Sequence, residues 1–126
     1  MKNMILLGVA CAALLGASRV YGAEATENYA KYCASCHGID GKGAGPAAAA
    51  LKKAPPDLTQ IGKRNNGKFP DFRIVRIIDG SEVQAVHGSR EMPMWGDYFR
   101  EKQPDEGILA VRERNLTEYI RSIQQK

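Results

Sequence analysis

Two thiols separated by two residues and followed at once by an imidazole, Cys33-Ala34-Ser35-Cys36-His37, make the most chemically specific stretch of this chain. The spacing suits covalent haem attachment. Each cysteine sulfur adds to one haem vinyl group and fixes the ring edge, and His37 then lies under the iron as an axial ligand. Other chemistries of the same residues fit less well. A thioredoxin-like dithiol expects a strand–helix–strand setting, and no alternating strand pattern is present. A zinc site built on Cys33, Cys36, His37 and His87 would place two chain neighbours at two corners of one tetrahedron and has no second paired motif.

The elements that must position this motif begin after a removable leader. Lys2 gives a positive start, Met4 to Ala17 is a nearly unbroken apolar run too short to span a bilayer comfortably, and Ala23-Glu24-Ala25 offers a small-x-small cleavage site. These features predict a signal peptide over residues 1–25 and a mature domain over 26–126, with cleavage after Ala23 as the alternative. Of the three cysteines, Cys11 leaves with the leader, and the residues before it make a poor lipobox. The remaining pair is the haem motif, so no disulfide framework is left. Export to the periplasm, or to the outer face of the cytoplasmic membrane, is expected.

A length of 126 residues, 44% of them hydrophobic and 25% charged, suits one small globular domain. The formal net charge of +4 is spread without a dense basic cluster, which argues against a nucleic-acid partner. A domain this small buries a modest share of its surface, and a large apolar cofactor would supply the missing core.

Along the mature chain, Thr26-Glu27 reads as a helix start that delivers Cys33 to His37 at the helix end. Gly38, Gly41, Gly43, Gly45 and Pro46 break that helix into a loop able to approach the haem closely. Ala47 to Leu51 favours a short helix closed off by Pro55-Pro56. Asp57 to Gln60 resembles a capping box, with Asp57 capping and Gln60 answering, and Leu58 and Ile61 can share a face. Pro70 and Asp71 open a helix whose Phe72, Val75 and Ile78 face the core and which stops at Gly80. A last long helix starts near Pro104-Asp105-Glu106 and runs to the end, with Leu109, Leu116, Tyr119, Ile120 and Ile123 as its apolar stripe. The expected fold is all-α, four to five short helices and loops around one haem.

Three places in the chain together resemble the class I c-type cytochromes: the attachment motif, Gly45-Pro46, and Met92-Pro93-Met94-Trp95. The resemblance covers essentially the whole mature sequence. It implies that Met92, from a late Met-Pro turn, is the second axial ligand opposite His37. It also implies that Tyr29 and Tyr119 meet where the first and last helices cross, and that the Pro46 carbonyl accepts the free ring N–H of His37. Such a bond would fix the imidazole tautomer.

A soft thioether favours ferrous iron and raises the potential relative to two histidines, and Pro93 steers Met92 away from helical angles. Met94 is the rival sulfur, and His87 the rival imidazole, although a hydrogen-bonded loop histidine explains His87 equally well. Trp95, Tyr98 and Phe99 are expected to wall the haem pocket. Lys31 and Lys42 are candidates for steering acidic redox partners.

The function expected from these residues is single-electron transfer at the haem edge between redox partner proteins, by a chain that is not an enzyme. The cofactor is one covalent haem c, attached to Cys33 and Cys36 and ligated by His37 and Met92. The mature chain is expected to lack a membrane span and to be a monomer or a subunit of a redox complex. A fixed haem subunit of a larger dehydrogenase or oxidase is the alternative, and a peroxidase is a third, needing an open iron position with a distal acid-base group such as His87.

Overall fold

Leu109, Leu116 and Ile120 recur at helical spacing, and each is at most 5% exposed on a 17-residue helix that forms one wall of the core. The computed structural model describes residues 22–82 and 91–126. Six α-helices succeed one another among these residues. They are α1 (22–32), α2 (Ala34–His37), α3 (Ile61–Arg64), α4 (Asp71–Asp79), α5 (Trp95–Lys102) and α6 (Glu106–Ser122), with single 3-10 turns at Ala48–Ala50 and Leu58–Gln60. No strand occurs among the described residues, as an all-α fold requires. The helix number exceeds the expected four to five because α2 and α3 are single turns.

Helices α4, α5 and α6 pack against one another in all three pairs. Ile74 and Ile78 from α4, Phe99 from α5 and the α6 stripe join Tyr29 and Cys33 in one cluster. Burying each large apolar side chain contributes roughly 1.5–3 kcal/mol. The crossing of α1 and α6 is an aromatic contact, Tyr29 against Tyr119 at 4.7 Å between ring centroids, as the resemblance implied.

The start of α6 follows its sequence signal, since the Asp105 side chain accepts from the Ile108 N–H at 3.0 Å and Glu106 occupies the positive first turn. The helix stops at Ser122, short of the chain end. The last residues turn back instead. The Gln125 N–H donates to Thr59 O at 2.9 Å, and the Gln124 side chain donates to Leu58 O and accepts from the Gly62 N–H.

Local expectations fail at three points, each for a reason. Thr26 does not cap α1, because the helix already runs from residue 22 and the Thr26 hydroxyl donates back to Gly22 O at 2.9 Å. Ala25, on the leader side of the expected cleavage site, is buried in this helix. Asp57 does cap, accepting from Thr59 N at 2.8 Å, but Gln60 does not answer it. The Gln60 amide donates to Gln125 Oε1 instead, drawn away by the returning tail.

The third difference is the rotation of α4. Phe72 is 89% exposed, and the buried face is Ile74 and Ile78. Asp71, at the start of α4, pairs with Arg121 of α6. Phe72 stands two residues, about 200° of helix, from Ile74 and so faces away from the core. Pro70 is the N-cap of α4, and Gly80 ends it in the left-handed conformation at φ 93°.

Candidate functional site

Cys33, Cys36 and His37 share one turn of chain at the end of α1. Cys33 is the N-cap of α2, its N–H donates to Tyr29 O at 2.9 Å, and the His37 N–H donates to Cys33 O at 2.9 Å. Both thiols are free; Cys33 is buried and Cys36 is half-buried. Burial first, and then the neighbouring Cys36, push the Cys33 thiol up to about 12. Dithiol exchange and metal–thiolate chemistry call for the opposite shift. An apolar niche that disfavours thiolate suits a sulfur destined for a neutral thioether.

The short α2 leaves its last carbonyls without helical partners, and the glycine-rich loop supplies them. Gly43 N–H donates to His37 O at 2.7 Å, Gly45 N–H to Cys36 O at 3.1 Å, and Ala47 N–H to Ser35 O at 2.8 Å. Glycine is required at two of these places. A side chain at Gly43, where φ is 84°, would overlap Pro55 O, and one at Gly45 would overlap the carbonyls of Ala34 and Ser35. The hydroxyl of fully buried Tyr29 donates to Gly38 O at 2.9 Å, and burial is the main cause raising its pKa.

The segment after Pro55 docks on this loop, with Leu58 N–H donating to Gly41 O at 2.7 Å. It thereby presents the Pro56 carbonyl, 3.3 Å from Nδ1 of His37. The carbonyl that meets the ring is thus that of Pro56 and not, as the resemblance implied, that of Pro46, because the docked segment carries Pro56 to the ring. A carbonyl can only accept, so Nδ1 carries the hydrogen and Nε2 keeps its lone pair. Desolvation lowers the His37 pKa, against a smaller opposing effect of the Pro56 bond, and so favours the neutral ring.

Met92 lies on a separate segment, 91–94, that leads into α5. Met92 and Met94 are 38% and 39% exposed. Met94 is the N-cap of α5, and its Cβ and Cγ crowd Gly80 at the end of α4, each 2.7 Å from where a Gly80 Cβ would stand. The carboxylate of Glu91 accepts the backbone N–H groups of Lys52 and Lys53 at 2.7 and 3.2 Å. His87 falls outside the described residues.

The aromatic residues expected near the cofactor separate into two roles. Phe99 is buried in the core, whereas Trp95 is half-buried and Tyr98 is 38% exposed. All three meet Tyr32, at centroid distances of 5.3 Å to Trp95, 5.0 Å to Phe99 and 5.8 Å to Tyr98. Tyr32 immediately precedes Cys33, so this cluster ties the attachment turn to the helix entered from the methionine segment. The sequence signal for Tyr32 was its place beside the first cysteine.

The donor set fits one covalent haem. Two free thiols three positions apart can attach it, a buried neutral imidazole with Nε2 available can ligate iron, and a partly exposed thioether can do so from another segment. The family model described as Cytochrome C oxidase, cbb3-type, subunit III matches residues 22–108. Neither the curated proteins nor the solved structures gave a match to the chain.

Proposed function

The chain belongs to that cytochrome c family, carries one covalent haem c and transfers electrons through it, and from this premise we propose that it is an exported single-electron carrier with His37 and Met92 as its axial ligands. Cys33 and Cys36 form the two thioether links. The haem, when bound, supplies iron that cycles between ferric and ferrous states.

The chain's own residues hold that centre still. Pro56 orients the His37 ring through Nδ1, the glycine loop locks the end of α2, and the Tyr32 cluster fixes Cys33 relative to the segment bearing Met92. With His37 and Met92 so held, a change in the iron's oxidation state would ask little rearrangement of the protein. The observation that carries this reading is the His37–Pro56 bond at 3.3 Å, which leaves Nε2 as the basic nitrogen of a buried ring.

Met92 is preferred over Met94 because the Met94 side chain starts against Gly80 at the mouth of α5, whereas Met92 sits at a bend before α5 where the following Pro93 disfavours helical angles. In ferric protein, Met92→Ala is expected to abolish the near-infrared sulfur-to-iron charge-transfer band, and Met94→Ala to keep it. Survival of the band in Met92→Ala would transfer the ligand role to Met94.

A second reading is a haem subunit of a larger complex, and the family description as an oxidase subunit favours it. Among the described residues no helix is long and apolar enough to cross a membrane. Gentle extraction of the native protein separates the two readings. A carrier elutes alone from the periplasmic fraction, and a subunit co-migrates with a membrane oxidoreductase.

A further inference from the structure

We propose that Glu91 is a positioning residue for the distal ligand, acting as a clasp that holds the Met92 segment against the loop leaving the haem-attachment turn. This inference rests on the reading of Met92 as the ligand.

Glu91 is joined to Met92 by a peptide bond, and its two carboxylate oxygens each accept one of two successive backbone N–H groups, Lys52 at 2.7 Å and Lys53 at 3.2 Å. These donors are 39 and 38 residues away in sequence. Bonds from backbone N–H to an ionised carboxylate are stronger than neutral ones, and two at once define direction as well as distance.

The donors are themselves anchored. They follow the 3-10 turn Ala48–Ala50, and the residue before that turn, Ala47, donates to Ser35 O between the two haem cysteines. A short path of hydrogen bonds and backbone therefore runs from the attachment turn to the residue preceding Met92. On the other side of Met92, Pro93 restricts its backbone. The ligand is thus flanked by a tether and a stiff joint.

Glu91 is absent from the apolar core cluster. Its effect should accordingly be on how often the thioether occupies the iron rather than on the fold as a whole. An exogenous ligand that competes with Met92 reads this directly.

The test is an imidazole titration of ferric holoprotein, with the charge-transfer band followed at fixed temperature. Glu91→Ala is expected to raise imidazole affinity about tenfold, in proportion to the loss of charge-assisted bonds, and to weaken the band. Glu91→Gln keeps the length and one acceptor oxygen and should fall between. In the Met92→Ala background, where no thioether competes, Glu91→Ala should leave imidazole affinity unchanged.

Unchanged affinity in Glu91→Ala, alongside tighter binding in Met92→Ala, would overturn the clasp while leaving the ligand intact. Equal changes in both backgrounds would also overturn it, since Glu91 would then act on the site without passing through Met92. If Met92→Ala alone alters neither the band nor the affinity, the ligand assignment itself fails and the clasp with it.

Discussion

Glu113 is a buried carboxyl on α6, 7% exposed, and its Oε1 has no hydrogen-bond partner among the described residues. Burial first, and then Asp79 on α4, raise its pKa from 4.5 to about 7, with Arg100 opposing and Glu106 adding to the rise. Arg100 cannot neutralise it fully because its guanidinium is shared among Asp79, Asp97 and Glu106. The sign follows from linkage. Folded and unfolded chains both hold the proton well below pH 4.5, and both have lost it well above 7. Between these values the unfolded chain releases it more readily, so stability falls as pH rises from about 4.5 to 7. Glu113→Gln should remove most of that slope and raise the denaturation midpoint at pH 8, as reversible denaturant titrations at pH 5 and pH 8 would register. An unchanged slope would assign the pH dependence to other groups.

At the scale of elements, α4 separates what local sequence can specify from what tertiary contacts decide. The Pro70 and Asp71 start, the helical period and the Gly80 stop were all legible because each depends on neighbours in the chain. The choice of face was not. The run from Ile74 to Ile78 offers two apolar faces, and the choice between them is made by packing against α5 and α6, which lie farther along the chain. The same holds at the site. The attachment turn was readable from its motif and the Tyr29–Tyr119 crossing from the family resemblance, but the carbonyl that meets His37 comes from a segment 19 residues on. Glu91 carried no motif, and its partners are backbone groups whose position no side-chain pattern records. The rotation of α4 makes a prediction of its own. Ile78→Ala should cost about 2–5 kcal/mol by opening a cavity. Phe72→Ala should stay within about 0.5 kcal/mol, as for an exposed position. Denaturant midpoints of the two holoprotein variants check this. A large loss in Phe72→Ala would restore the face expected from sequence, to which Ile78 also belongs.

For the whole molecule, the question is whether the helices can hold the site without the cofactor. The buried apolar cluster is drawn from α1, the attachment turn, α4, α5 and α6, while the stretch from Gly38 to Asp57 contributes no buried member. That stretch contains one 3-10 turn and is held by backbone bonds to α2, by the Leu58–Gly41 bond and by the side chains of Tyr29, His37 and Glu91. Ordering it costs roughly 1–2 kcal/mol per residue of backbone entropy, and its few hydrogen bonds return only about 1 kcal/mol each. A covalent haem would shift this balance, because the proposed attachment at Cys33 and Cys36 and ligation by His37 and Met92 would remove freedom from the unfolded chain and add apolar contact. The haem-free chain should therefore lack a fixed tertiary structure while keeping partial helix, chiefly in α6, whose cap and length are local properties. A Cys33→Ala/Cys36→Ala variant purified free of haem should show residual far-ultraviolet helix signal, little near-ultraviolet signal and poorly dispersed amide resonances. Sharp, well-dispersed resonances from that variant would mean that the three-helix core alone is sufficient to order the loop, and that the cofactor binds a site already built.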